Sequence, residues 1–240
     1  GRQATKDYYT YQLSHIRRFG DAVPGGAPTL IGEFGIPFDL DDGASFRRWR
    51  AGERGDDVWA SQTEALELMY EAMDDLLISS TIWNYTATNA NDPRIGDGWN
   101  QEDLSIFSED QIENPLDPDA GARALPGFCR PYVRAAQGRL MRQAYDRSMR
   151  RFEFEIDVDG GIEAPTEIYI PVRFFGERPV ILCDGARMTW DPKAQTLTLF
   201  RRQSGTLIGK IAAAGDADAV QEQAKSKASG FVAVSGGKAR

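Results

Sequence analysis

Apolar residues recur at helical spacing in the first segment of the chain: Tyr9, Leu13, Ile16 and Phe19 predict a helix over residues 5–19, with Gly20 as its stop. A turn-rich link, Pro24-Gly25-Gly26-Ala27-Pro28, leads to a short apolar run at 29–33, read as a strand. Residues 37–57 are dominated by Asp and Arg and read as a solvated loop; Asp39, Asp41 and Asp42 lack the spacing of an EF-hand. Residues 58–78 carry Leu66, Met69, Tyr70, Met73, Leu76 and Leu77 at three- and four-residue steps with acidic residues between, the clearest helix of the chain. Ser79–Tyr85 reads as a second strand. Helix, strand, helix, strand is the rhythm of a parallel sheet with crossover helices.

The pattern then changes. Residues 86–119 are rich in Asn, Asp, Gly and Pro yet hold Trp99 and Phe107, which predicts a long functional loop rather than a disordered one. A last short helix is expected within 119–126 or 130–137. Beyond it, Phe152, Phe154, Ile156 and Val158 alternate with acidic residues, and 168–172, 180–182, 187–190 and 196–200 are further short apolar runs. Short alternating strands in series predict an antiparallel β-sandwich. Phe174, Phe175 and Trp190 are either its core or exposed aromatics. From about residue 215 the chain turns to Ala, Lys, Ser, Gly and Gln, read as a flexible tail.

The chain has 240 residues, with 36 acidic and 28 basic side chains and a net charge of −8. That balance disfavours broad nucleic-acid binding, which needs a basic surface. With one histidine, His15, and two widely spaced cysteines, Cys129 and Cys183, a His-based zinc site is not expected. His15 reads as a structural or surface residue and the cysteines as isolated thiols. No apolar run reaches the ~20 residues needed to span a bilayer. The first residues show no apolar leader core, and localisation stays open.

Chemistry concentrates at the two strand ends. Thr29-Leu30-Ile31-Gly32-Glu33-Phe34-Gly35 sets a carboxylate at a strand tip between glycines: either a solvated strand end or the catalytic carboxylate of a barrel enzyme. Trp83 at the next tip is either core filler or a platform for a sugar ring. Asn84, Tyr85, Asp97, Asn100, Glu102 and Asp103 offer hydrogen bonds to hydroxyls; for the four loop residues among them, capping within the loop is the competing reading.

Gly32-Glu33-Phe34-Gly35-Ile36-Pro37, then Trp83-Asn84-Tyr85-Thr86, then Asp97-Gly98-Trp99-Asn100-Gln101-Glu102-Asp103-Leu104-Ser105-Ile106 together resemble glycoside hydrolase family 5, most of all its endoglycoceramidase and glycolipid β-glucosidase branch. Arg130-Pro131-Tyr132 and Ala164-Pro165-Thr166-Glu167-Ile168-Tyr169 resemble parts of the C-terminal sandwich of that branch. The resemblance runs from about residue 29 to about 210. It implies an α/β plus all-β chain: residues 1–125 as the C-terminal part of a (β/α)₈ TIM barrel, 126–215 as an antiparallel β-sandwich domain and 216–240 as the tail.

It further implies a retaining hydrolase of a β-glycosidic bond, with Glu33 as nucleophile and Trp83 as platform. Asn84, Tyr85, Asp97, Asn100, Glu102 and Asp103 remain the candidate partners of the substrate's hydroxyls. A glycoside or glycolipid substrate, contact with a membrane surface and no cofactor or metal complete the expectation. The family's Asn-Glu acid/base motif has no counterpart here, and the 32 residues before Glu33 are too few for six strands and their helices. The chain is therefore expected to be the C-terminal portion of a longer enzyme and inactive by itself. The alternative is a non-catalytic piece whose sandwich binds carbohydrate or a lipid surface, or buttresses the barrel.

Overall fold

The computed structural model describes residues 1–92, 94, 97 and 102–216, and the chain divides into two units between Cys129 and Arg130. The first unit runs α1 (Arg2–Asp21), β1 (Leu30–Phe34), α2 (Leu40–Arg50), a 3₁₀ turn (Asp56–Trp59), α3 (Ala60–Leu76), β2 (Ser79–Ile82), a second 3₁₀ turn (Glu109–Gln111) and α4 (Leu125–Phe128). β1 and β2 pair in parallel, with Leu30 opposite Ser79, Ile31 opposite Ser80 and Phe34 opposite Ile82. Three steps along β1 match two along β2, so Gly32 and Glu33 form a bulge against Thr81. The Thr81 hydroxyl donates to the Gly32 carbonyl and pins it.

The core of this unit lies on one side of the pair. Phe34, Ile36, Phe38, Phe46, Trp59, Leu66 and Met73 are buried together. Trp59 receives Phe38 and Phe46 edge-on at 5.5 and 5.6 Å. α1 buries no residue fully; Leu13 packs against the core, and ion pairs tie the helix to α3, with Arg2 reaching Glu67 and Glu71 at 3.2 and 2.6 Å and Lys6 reaching Asp75 at 2.8 Å. α3 ends where Leu77 turns left-handed (φ 50°), and the Arg17 guanidinium donates to the freed Leu76 carbonyl at 2.7 Å.

Residues 37–57, expected as a solvated loop, contain α2. Asp41, Asp42 and Gly43 are left-handed (φ 56°, 55°, 72°), so regular helix begins only after them. Phe46 and Trp49, three residues apart, then seat that short helix on the core while Arg47 is exposed. The short helix near the unit boundary is α4; 130–137 holds a strand instead.

The second unit comprises β3 (Tyr132–Ala135), β4 (Gly138–Asp146), β5 (Arg151–Val158), β6 (Thr166–Tyr169), the single turn α5 (Val172–Phe175), β7 (Val180–Cys183), β8 (Arg187–Asp191), β9 (Thr196–Phe200) and β10 (Gly205–Ala212). They form two four-stranded antiparallel sheets, β4-β5-β10-β7 and β3-β6-β9-β8. Phe152, Phe154 and Ile156 from the first sheet and Ile168, Leu197 and Leu199 from the second share one buried core, which makes a sandwich.

β4 and β10 were not foreseen. A register shift between Leu140 and Arg142 interrupts the alternation of β4. In β10 the inward position between Leu207 and Ile211 is Gly209, because a Cβ there would meet the Phe154 ring at 2.0 Å. Phe175 is in the core, Phe174 and Trp190 pack against it, and the Trp190 indole donates to the Glu177 carbonyl at 2.8 Å, so none of the three is an exposed platform. Neither Cys129 nor Cys183 forms a disulfide among the described residues; burial, with Asp184 adding to it, pushes Cys183 up to about 12. The expected tail, apart from Asp216, lies outside the described residues.

Candidate active site

The carboxyl ends of β1 and β2 are locked side by side. The Trp83 amide donates to the Phe34 carbonyl at 2.7 Å. A Cβ on Gly35 would lie 2.0 Å from the Trp83 carbonyl oxygen, so this close approach admits only glycine. The Trp83–Asn84 peptide is cis. Phe34 and its partner Ile82 face the core; Glu33 precedes the one and Trp83 follows the other, so strand alternation sets both on the opposite face. Glu33 is exposed and, among the described residues, has no hydrogen-bond or ion-pair partner. The bulge is what turns Glu33 away from the core while Ile31 and Phe34 both stay against it.

The segment after β2 folds back on these ends. Asn84 donates its backbone amide to the Leu104 carbonyl at 3.2 Å, and its own carbonyl accepts from Ile106 at 2.9 Å. Its side-chain amide donates to Asp97 Oδ2 at 2.7 Å, and the same oxygen accepts the Leu104 amide at 3.2 Å. The buried Asp103 accepts Arg123 Nη1 at 2.9 Å and a second bond from Nη2, a bidentate pair with no solvent access to the guanidinium. For Asp97 and Asp103 these partners support capping within the loop rather than open sugar-binding oxygens. Tyr85, 64% exposed with its ring 5.0 Å from Phe107, and the exposed Glu102 face outward. Asn100 lies outside the described residues.

Sequence reasoning passed over Arg123. Besides Asp103 it donates to Asn91 Oδ1 and the Ser105 carbonyl, each at 3.1 Å, and its guanidinium lies 4.0 Å over the Phe38 ring. It ties the long loop to the aromatic core. The one local signal is its setting, Gly121-Ala122-Arg123-Ala124-Leu125, an arginine among small and apolar residues.

The segments that follow β1 and β2 also enclose a cleft of about 670 Å³, lined by Trp49, Arg50, Arg54, Asp92 and Arg94 among others. Asp92 is held well below the usual carboxylate range, first by the Arg94 side chain and then by the Arg94 backbone amide. Arg54 covers the Trp49 ring at 3.7 Å.

Residues 130–211 match the glycoside hydrolase family 5 C-terminal domain. The chain resembles the C-terminal portion of a family 5 glycoside hydrolase. It is 32% identical over 190 residues to a glucosylceramidase of Cryptococcus neoformans var. grubii, covering 73% of this chain and 24% of the relative. It is 34% identical over 113 residues to an ergosteryl-beta-glucosidase of Saccharomyces cerevisiae, covering 47% of this chain and 13% of the relative. Among solved structures, Cryptococcus neoformans sterylglucosidase 1 superposes with a TM-score of 0.76 at 27% identity, over 90% of this chain and 33% of that one. Endo-glycoceramidase II from Rhodococcus sp. gives 0.56 at 20% identity over 88% and 38%, a likeness of fold. The chain thus spans about a quarter of the first curated relatives and a third of the sterylglucosidase.

Proposed function

We propose that this chain carries the nucleophile and sugar platform of a retaining β-glycosidase acting on a glycolipid, and that its first unit is the closing part of a (β/α)₈ barrel. The observation that carries the proposal is Glu33: an exposed carboxylate with no partner among the described residues, at the carboxyl end of a parallel strand, turned from the core by a bulge, beside Trp83. Unpaired carboxylates are free to attack; structural ones are neutralised, as Asp103 is. The barrel reading is supported by the parallel β1–β2 pair and by apolar side chains left exposed beside it, Leu30 on β1 and Tyr8, Tyr11 and Phe19 on α1. Further strands and helices of a closed barrel would cover these.

In this mechanism Glu33 attacks the anomeric carbon while the sugar lies on Trp83, and a glycosyl-enzyme ester forms as the aglycone leaves. The general acid that protonates the leaving oxygen, and then activates water, is a second carboxylate ~5–5.5 Å away, supplied from outside this chain. Tyr85 and Glu102, both exposed, meet the sugar hydroxyls. Asn84, Asp97 and Asp103 hold the loop after β2 in register. Relatives named for glucosylceramide and ergosteryl glucoside hydrolysis support a single β-glucose on a lipid aglycone as the substrate class.

The test uses the longer protein. A 2-fluoro-β-glucoside should label Glu33, and Glu33→Gln should lower turnover roughly 10³–10⁶-fold. A label on any other residue, or near-normal turnover by the variant, overturns the assignment. The 240-residue chain alone should not hydrolyse an aryl β-glucoside, since the acid alone contributes ~10²–10⁴-fold.

A further inference from the structure

The outer face of the sheet β3-β6-β9-β8 carries a second cleft, of about 640 Å³, wholly within the second unit. That size is within the range of small-molecule sites. Its floor is two cross-strand pairs, Thr189 opposite Thr198 and Arg187 opposite Phe200. Its walls are the 160–165 loop, with Glu163, and the turn bearing Arg202.

The walls are fixed from below. Gln137, 1% exposed, donates its side-chain amide to the Ile162 and Arg201 carbonyls at 2.8 and 2.9 Å and accepts the Arg201 amide at 2.9 Å. The Gly160 amide donates to Ser204 Oγ at 2.9 Å, and a Cβ on Gly160 would strike the Arg202 carbonyl at 2.0 Å. The two rims are stapled together before any ligand arrives, which lowers the ordering cost of binding.

The lining narrows the ligand. Arg187 and Arg202 are exposed and have no ion-pair partner among the described residues; Arg187 lies 5.5 Å over the Phe200 ring. Two guanidiniums against one carboxylate, Glu163, make a positive spot on a chain of net charge −8. Guanidinium forks match anionic oxygens. A bare anion would leave the paired threonine hydroxyls and the Phe200 edge unused, and a neutral sugar would leave both guanidiniums unneutralised.

We propose that this cleft binds a polyol bearing one phosphate group, as a soluble sugar- or cyclitol-phosphate or as the headgroup of an inositol phospholipid. The phosphate sits between Arg187 and Arg202, and the polyol hydroxyls meet Thr189, Thr198 and Glu163. The site stands apart from the hydrolase reading and does not depend on it.

The test is titration of the full 240-residue chain, followed by NMR, with myo-inositol 1-phosphate and with its halves, myo-inositol and inorganic phosphate. The ester is expected to bind at least tenfold more tightly than either half, with shifts at Thr189, Thr198 and Phe200. Arg187→Ala and Arg202→Ala should each weaken it about tenfold. Arg139→Ala on β4 should leave it unchanged, as should Glu33→Gln. Because both arginines are exposed, unaltered melting of the variants is expected and separates lost binding from lost fold. Absence of binding, equal binding of the ester and plain inositol, or the same loss with Arg139→Ala overturns the proposal. Sedimentation with phosphatidylcholine vesicles, with and without phosphatidylinositol, assigns the source. Retention that needs phosphatidylinositol and both arginines marks the headgroup; binding in solution only marks the soluble ester.

Discussion

Glu33 and Gly35 stand two residues apart and do opposite kinds of work. The exposed Glu33 side chain has no hydrogen-bond or ion-pair partner among the described residues, so Glu33→Gln should change the stability of this chain by less than about 0.5 kcal/mol while abolishing turnover in the longer protein. Gly35→Ala inverts that profile. Its methyl group would press on a backbone carbonyl that cannot rotate away, and urea denaturation should show a loss of about 1–3 kcal/mol. Wild-type stability in that variant would contradict the close approach. Asp103 is a third case. Removing it leaves the Arg123 guanidinium buried without its counter-charge, so Asp103→Ala should cost about 3–5 kcal/mol. That a strand ends beside Glu33 was legible in the apolar run before it, Leu30-Ile31. The bulge and the Arg123 pairing were not, since each depends on partners some twenty to fifty residues away that no local pattern encodes.

At the scale of elements, strands and helices with a regular apolar period were read correctly, and those without one were missed. α2 rests on three widely spaced apolar anchors, Leu40, Phe46 and Trp49, in a charged stretch. β10 places a glycine where the period calls for a large side chain, and the missing volume comes from Phe154 across the ladder. The same ladder supplies a pH test. Glu153 on β5 is opposite Lys210 on β10, with Nζ–Oε1 at 2.9 Å. Burial would raise the Glu153 carboxyl, but the Lys210 hydrogen bond, with the charges of Lys210, Arg151 and Arg142, outweighs it and holds the group below its ordinary 4.5. A lowered folded-state value contributes stability above the ordinary value and forfeits it as pH falls through the folded one. Lys210→Met should therefore lower stability at neutral pH and lose less than wild type as the pH falls below the ordinary 4.5 of Glu153. Parallel loss in the two proteins would show that the pair does not set the acid limb.

The two units differ in how completely each covers its own apolar surface, and this decides what each should do alone. In the second unit both sheets turn their apolar faces to a shared core, with Phe152, Ile156, Ile168, Leu197 and Ile211 fully shielded. Every ladder partner of these strands lies within the same unit. Residues 130–216 should therefore fold alone: a single cooperative melt and well-dispersed amide resonances are expected. In the first unit β1 and β2 pair only with each other among the described strands, and α1 leaves Phe19 79% and Tyr8 60% exposed. Unpaired parallel edges beside an apolar helix face favour self-association. Residues 1–129 should sediment as concentration-dependent oligomers, and Phe19→Ser with Tyr8→Ser should shift that equilibrium towards monomer. A monomeric, cooperatively melting 1–129 would mean that the exposed face needs no cover, and with it would fall the main structural support for placing Glu33 in a larger closed barrel.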